Sequence, residues 1–305
     1  MGHPTTIDSV PNELLLSILS LIPTRSLLSV VGVSRRFYSV ALRVLHYRLK
    51  TAAALPDLRL ILECYHPSAK ISTPYLYCDH LYTDAVQDGD EGGRDHGLPT
   101  PTLGQLREVY AHFRPVAQEE NRRARLRYPR RPQPQSETSG TQGDDGTPQT
   151  HTEQRLSLDI YLDDNEPFSQ LCTATSLVKV GPKPGWFLSH LNMTDDVIRV
   201  WRGWLAAQAS GHLTPTESEQ ESTKEAILWA DSAHNVGLRF HVTEKEAEIS
   251  ARPILVAQGE DLAVAYKLEY DELLVRGSQL LLMTEKSEEQ REENTSGKAI
   301  IIASI

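Results

Sequence analysis

The chain has 305 residues, of which 39% are hydrophobic, and a formal net charge of −10 at pH 7. This length is enough for one or two domains with hydrophobic cores. The acidic balance argues against general nucleic-acid binding, which needs a basic surface. The chain has no apolar run of about 18 residues and no secretory signal pattern at its start, so we expect no membrane span. We therefore expect an intracellular protein, cytoplasmic or nuclear, with protein partners.

The cysteine count agrees with a reducing compartment. Cys64, Cys78 and Cys172 form an odd set that is too sparse for a disulfide framework. We expect all three to be free thiols.

Residues 7–50 have the apolar spacing of three short helices. Pro11 suits a first helical turn, and Pro23 ends the first helix. Thr24 is the predicted N-cap of the second helix. The third helix presents a single apolar face, formed by Val33, Phe37, Val40, Ala41, Val44 and Leu45. This face is expected to form the core of a small helical unit.

Beyond residue 55 the pattern changes to short runs rich in Val, Ile, Leu and Tyr. Such runs predict strands that start near Leu58, Pro74, Arg155, Val236, Leu262, Glu272 and Lys298. We predict an α+β chain with two parts: the helical unit of residues 7–50, and a mostly antiparallel, sandwich-like β-domain of residues 55–305. Two smaller β-units are the alternative.

Residues 194–208 interrupt the strand pattern. Their apolar residues recur at helical spacing, and Thr194 is a suitable N-cap, so an amphipathic helix is predicted. Its apolar face would contain Val197, Val200, Trp201, Trp204 and Leu205.

Four segments have the composition of disordered insertions. They are rich in Gly, Pro, Ser, Thr, Gln or acidic residues, and they cover residues 86–102, 117–154, 209–223 and 285–297.

The first predicted helix carries more apolar residues than one packing face can hold. They are Leu14, Leu15, Leu16, Ile18, Leu19, Leu21 and Ile22. One face can pack on the third helix, and the remainder would form an exposed apolar patch. Such patches mark protein-binding surfaces, so docking on another protein is predicted.

The segment from Val10 to Leu49 resembles the F-box family. Val10-Pro11 stands at the family's Leu-Pro start, and ELLLSILSLIP, SLL and VSRRFY follow in the family's order. Two departures are Ser34, where Cys is frequent, and Leu45-His46-Tyr47-Arg48, where Leu-Trp-Arg is frequent.

The resemblance implies a non-catalytic substrate receptor of an SCF-type ubiquitin ligase. It would bind a Skp-type adaptor, reach the cullin scaffold through that adaptor, and recruit an unknown protein target. The implied adaptor-binding residues are Val10, Pro11, Leu14, Leu15, Ile18, Leu19, Pro23, Leu27, Leu28 and Phe37. An F-box scaffold outside a ligase and a lectin-like binding module remain open, and the target-binding residues are not indicated.

Four other patterns have a chemical and a structural interpretation. The pairs Cys64/His66 and Cys78/His80 have alternate spacing that would let four zinc ligands meet between two strands. Simple burial of the thiols is the alternative, and we expect no metal or cofactor. An aromatic platform for a sugar or peptide could be formed by Trp186, Trp201, Trp204 and Trp229. Ordinary packing of these side chains in the core is the alternative.

The arginines of residues 122–131 could form a nuclear-import signal or a patch for an acidic partner, but without an accompanying nucleic-acid motif a solvated loop is the favoured interpretation. Asp195 and Asp196 could be paired catalytic carboxylates, as could Asp163, Asp164 and Glu166, but adjacent acids usually face solvent. Because the chain also lacks a nucleophile elbow, P-loop, dinucleotide fingerprint or zincin helix, we expect no catalytic residue and no enzyme activity.

Overall fold

The computed structural model describes residues 7, 10–70, 73–85, 101–117, 156–182, 186–211, 226–245 and 262–293. Within these ranges, three N-terminal helices precede a large antiparallel sheet. The predicted α+β class is therefore confirmed.

The N-terminal helices are α1 (Asn12–Ser20), α2 (Thr24–Val30) and α3 (Arg35–Ala53). Pro11 and Pro23 stand at the N-cap positions of α1 and α2, where the missing proline N–H costs no helical hydrogen bond. Ser34 caps α3 by accepting a hydrogen bond from the Phe37 N–H at 3.3 Å. The prediction that Thr24 caps α2 is wrong, because its hydroxyl donates to Glu285 instead.

Nine strands follow in the described part of the chain. They are β1 (Arg59–Tyr65), β2 (Leu76–Thr83), β3 (Tyr110–Val116), β4 (Ser157–Leu162), β5 (Phe168–Val180), β6 (Phe187–Trp201), β7 (Ile227–Trp229), β8 (Val236–Lys245) and β9 (Val264–Arg276). Three further helices are α4 (Leu103–Arg107), α5 (Arg202–Ala209) and α6 (Gly277–Glu293), and a 3-10 turn covers Pro67–Ala69.

The strands form a single sheet in the order β6-β5-β1-β2-β3-β9-β8-β7, and β4 pairs with the first half of β9. The sheet curls into a nearly barrel-like shape. Core-facing side chains alternate with outward-facing ones in the middle of β9, since Tyr266, Leu268 and Tyr270 all point into the core. All strand pairs are antiparallel.

The helix predicted for residues 194–208 is wrong in its first half. Residues 194–201 belong to β6, where Thr194, Ile198 and Val200 are buried and Val197 is exposed. Thr194 pairs with Thr175 of β5 and caps no helix. Helical structure starts only at Arg202. The apolar residues are compatible with both periods, and the long pairing partner β5 favours the strand.

A second correction concerns the end of the chain. The run from Glu272 was predicted as a strand, but only its first five residues belong to β9, and α6 starts at Gly277. The predicted disorder of residues 285–297 is wrong up to Glu293, because α6 continues to that residue. The predicted strand at Lys298 lies outside the described residues, as do most of the other predicted insertions.

Helix α6 joins two hydrophobic cores. Leu280 is fully buried in the core of the sheet, while Leu281 is buried among the N-terminal helices with Leu42, Leu45 and Leu49. The Gly277 N–H donates to the Val109 carbonyl at 2.8 Å. The hydroxyl oxygen of Ser287 lies 3.1 Å from that of Ser189 on β6. The helical unit is therefore packed against the β-domain by the C-terminal helix.

His112 of β3 lies between two carboxylates on the outer face of the sheet. Its Nδ1 is 3.1 Å from Glu272 Oε2, and its Nε2 is 3.1 Å from Asp84 Oδ1. Tyr82 stacks on the imidazole at 4.2 Å, and Arg239 pairs with the same Glu272 at 2.7 Å. Burial lowers the pKa of His112, but the bonds to Asp84 and Glu272 outweigh it and raise the pKa above its ordinary value. Because both ring nitrogens face acceptors, the charged imidazolium fits this site.

The raised pKa predicts pH-dependent stability. A group whose pKa is higher in the folded state stabilises the fold below its unfolded pKa of about 6.5, and this contribution is lost as the pH rises through the folded value. The difference in unfolding free energy between the native chain and His112→Gln should therefore shrink as the pH rises above about 6.5 and through the raised pKa of His112. Urea unfolding at a series of pH values measures it, and a difference independent of pH would contradict the charged imidazolium.

Candidate docking surface

Helix α1 has two apolar stripes. Leu15 and Leu19 are buried against the other helices and form the first stripe. The second stripe consists of Leu14, Ile18 and the C-cap residue Leu21, which are 57%, 51% and 85% exposed. Each stripe follows helical spacing, with intervals of three or four residues. The second set is called the exposed stripe below.

Exposed apolar residues are also present on α2 and in the turn after it. Leu28 is 48% exposed, whereas its neighbour Leu27 is completely buried in the helical core. Val33 and Leu16 are also exposed. These side chains contribute nothing to the helical core, which Leu15, Leu19, Leu27 and the apolar face of α3 already fill. An exposed apolar surface beside a complete core is typical of a protein-binding site.

Two arginines of α3 hold the ends of α1. Arg36 donates to the Val10 carbonyl, and its Nε donates to Asn12 Oδ1 at 2.8 Å, which fixes the start of α1. Arg48 donates to the carbonyls of Ser20 at 2.9 Å and Ile22 at 2.6 Å, at the end of α1. Carbonyls at a helix end lack intrahelical partners, so Arg48 satisfies them. The exposed stripe is thus presented by a helix anchored at both ends.

Helix α6 adds a further contact to this anchor. Arg48 also donates to Thr24 Oγ1 at 2.9 Å and approaches Glu285 Oε1 at 3.4 Å. The Thr24 hydroxyl donates to the same Glu285 oxygen at 2.5 Å. This Arg48–Thr24–Glu285 cluster joins α1, α2 and α3 to the C-terminal helix.

The family model described as F-box-like matches residues 7–51. These residues form an F-box-like domain. Comparisons with curated proteins and with solved structures found no match to the chain. The predicted F-box resemblance is therefore confirmed for the N-terminal segment, which is a protein-interaction domain.

The ten residues predicted to bind the adaptor fall into two groups in the F-box. Pro11, Leu14, Ile18, Pro23 and Leu28 are exposed, and Val10 is half-buried. Core positions are occupied by Leu15, Leu19, Leu27 and Phe37. The adaptor-binding role of all ten stays a prediction, and the exposed group is the one available to a partner.

Sequence reasoning did not include three exposed apolar residues of the F-box in that set. Leu21 belongs to the exposed stripe, and Leu16 and Val33 are also exposed. Val33 had been assigned to the core face of the third helix, but it precedes that helix and is exposed. The spacing of Leu14, Ile18 and Leu21 was the signal that could have identified Leu21.

The two Cys/His pairs do not meet. Cys78 pairs with Leu60 across β1 and β2, so Cys64 is four residues further along β1, about 13 Å away at the usual rise. Burial raises the pKa of Cys64 to about 12 and also raises that of Cys78, which keeps both thiols protonated. In the described ranges no group of His, Cys, Asp or Glu is arranged to hold a metal ion.

The four tryptophans do not form one platform. Trp229 stacks on His234 at 4.7 Å and contacts Tyr110, whereas Trp201 contacts Phe168 at 5.1 Å. The expected packing of Trp201 with Val197 in a core is wrong, because both side chains are more than half exposed at the surface of β6. Trp204 lies on α5 and Trp186 precedes β6.

The remaining candidates have no shared site. Asp195 and Asp196 are consecutive strand residues and point to opposite faces. Asp164 accepts a hydrogen bond from the Ala263 N–H at 2.7 Å, and Glu166 accepts one from the Asp163 N–H at 3.0 Å. The arginines of residues 122–131 lie outside the described residues. No helix in the described ranges is both long and apolar enough to span a membrane.

Proposed function

We propose that the chain is the substrate receptor of an SCF-type ubiquitin ligase in the cytoplasm or nucleus. Its F-box docks on a Skp-type adaptor, which links it to the cullin scaffold, and its β-domain holds a protein target. The chain has a positioning role and no catalytic one. Holding the target near the ubiquitin-loaded enzyme raises the effective concentration of the two reactants.

The exposed stripe is the observation that carries this proposal. Leu14, Ile18 and Leu21 are presented to solvent by a helix whose other apolar stripe is already packed. Removing such side chains from water in an interface gives about 25 cal/mol per Å² of apolar area. An F-box-like domain with this surface supports adaptor docking.

The decisive test is binding of the purified adaptor to a triple variant. In Leu14→Ser, Ile18→Ser, Leu28→Ser, three exposed anchors become polar while the core of the F-box is unchanged. The Kd should rise at least about 100-fold, because buried apolar anchors dominate interface energies. Isothermal titration calorimetry with the full chain measures the effect.

Tyr47→Ser is the matched control. Tyr47 is an exposed apolar residue on α3 of the same domain, outside the exposed stripe. Its substitution should leave the Kd unchanged, and both variants should unfold within about 0.5 to 1 kcal/mol of the native chain. Unchanged adaptor binding by the folded triple variant would overturn the assignment of the docking surface, and no binding by the native chain would overturn the function.

A cellular experiment separates the ligase from a scaffold role. Replacing the native chain with the triple variant should increase the half-life of a specific cellular protein, because that protein is no longer brought to the ligase. If ubiquitination and protein half-lives are the same for both chains while the native chain binds the adaptor, the ligase role is wrong.

A further inference from the structure

Strand β6 stands at the end of the sheet. Within the described ranges it pairs only with β5, so its second backbone edge has no strand partner there. Asp195, Asp196 and Val197 are three consecutive exposed residues. Because successive strand residues point to opposite faces, both faces of β6 are open to solvent at this place. An open edge of this kind can add an extended segment of another chain.

A rigid aromatic pair lies on the outer face beside this edge. The rings of Trp201 and Phe168 are 5.1 Å apart, and the guanidinium of Arg199 lies 5.3 Å from the centre of the Phe168 ring. Arg202 fixes the backbone around them, because it donates to the carbonyls of Glu166 at 3.0 Å, Leu262 at 2.7 Å and Asp163 at 2.6 Å. A half-exposed aromatic side chain on a rigid backbone loses little entropy on binding.

Two carboxylates give the outer face a negative end. Glu63 of β1 and Asp195 of β6 flank Ala174 of β5, since each of them pairs with Ala174. Neither carboxylate forms an ion pair with another described residue. Burial, Cys172, Glu63 and Asp195 together raise the pKa of Tyr65, which agrees with the two carboxylates facing the same side. Asp196 adds a third negative charge on the opposite face.

We propose that residues 195–201 of β6 are a docking edge for an extended, basic segment of a partner protein. The segment pairs antiparallel to β6, with lysine or arginine opposite Asp195 and Asp196 and aliphatic residues opposite Val197 and Trp201. The inference rests on the proposed function in one respect, since it takes this partner to be the recruited target.

The charges select this occupant over a second copy of the chain. A second copy of the chain carries the same formal net charge of −10, and like charges across an interface are unfavourable. Acidic residues on an open edge also prevent self-association, which agrees with an edge kept for a basic partner.

A designed peptide provides the probe. Residues 195–201 span about 20 Å, so an extended peptide of about eight residues covers them. In antiparallel order, Val-Thr-Glu-Thr-Val-Lys-Lys-Thr places valine opposite Trp201 and Val197, glutamate opposite Arg199, and lysine opposite Asp196 and Asp195. Its binding to the full chain is measured by fluorescence anisotropy. A peptide with Glu-Glu in place of Lys-Lys should bind at least about tenfold more weakly, because it opposes like charges.

The charge-reversed chain Asp195→Lys, Asp196→Lys tests the contact itself. Its affinity for the Lys-Lys peptide should fall by a similar factor, and its affinity for the Glu-Glu peptide should rise. Trp201→Ala should weaken both peptides in their respective chains. Asp271→Lys is the matched control, because Asp271 is an exposed carboxylate on β9, a strand paired on both sides, and it should leave peptide binding unchanged.

Adaptor binding measured in parallel separates the two proposals. Failure of the Lys-Lys peptide to bind a chain that still binds the adaptor overturns the docking edge and leaves the proposed function intact. Equal binding of the Lys-Lys and Glu-Glu peptides also overturns it. Failure of adaptor binding alone overturns the ligase role.

Discussion

Leu281→Ala should lower the free energy of unfolding by about 2–5 kcal/mol, the usual cost of a cavity left by a buried leucine. Leu281 is buried among the residues of the F-box core, although it lies some 230 positions further along the chain. The loss should therefore destabilise the F-box together with the β-domain. Urea unfolding followed by circular dichroism gives the change, and protease cleavage within α1 or α2 should become faster.

Leu282→Ala is the control for this prediction. Leu282 has the same chemistry on the same helix, but 36% of its side chain is exposed. Its substitution should change the unfolding free energy by less than about 1 kcal/mol. Equal effects of the two substitutions would mean that α6 does not pack on the F-box in solution.

Arg48→Ala is expected to have the second-largest effect, a decrease of about 2–3 kcal/mol in the unfolding free energy. Arg48 is mostly buried and binds the carbonyls of Ser20 and Ile22, the Thr24 hydroxyl and the Glu285 carboxylate. Removing the guanidinium leaves the two carbonyls at the end of α1 without this donor. Urea unfolding of the full chain measures the loss.

Two further variants separate geometry from charge at this cluster. Arg48→Lys keeps the positive charge but loses the planar fork, so most of the destabilisation should remain. Glu285→Gln removes the negative charge while it keeps an oxygen acceptor for Thr24, and it should cost only about 0–1 kcal/mol because the pair is partly exposed. If Arg48→Lys were as stable as the native chain, charge rather than hydrogen bonding would hold the cluster.

The F-box could be predicted from sequence because its information is local. Pro11, Pro23 and Ser34 define helix starts within a few residues of the apolar positions that they precede. The excess of leucine on the first helix also predicted an exposed surface, which the exposed stripe provides. The sequence did not show which of these leucines are buried and which are exposed. Leu14 and Leu15 are adjacent and identical, and only packing on α3 distinguishes them.

The β-rich class of the β-domain was predicted correctly, but only some of its strands were. Strands β3, β5 and β7 and the first half of β6 were missed, and the second half of β6, from Thr194, was interpreted as helix. Residues 194–201 contain apolar side chains at spacings that suit both a helix and a strand, so a partner strand determines which of the two forms. That partner is β5, which pairs with β6 along nearly its whole length.

The sequence by itself determined the α+β class, the F-box-like segment and the antiparallel character of the remainder, because helix caps, apolar spacing and strand alternation act over short distances. Only the tertiary structure decided which leucines face solvent, that Leu281 and Glu285 of α6 complete the F-box, and that Trp201 is exposed beside an open strand edge. These features depend on contacts between residues far apart in the chain. Local propensity carries no information on such contacts, since their free energy arises only when the distant surfaces pack together.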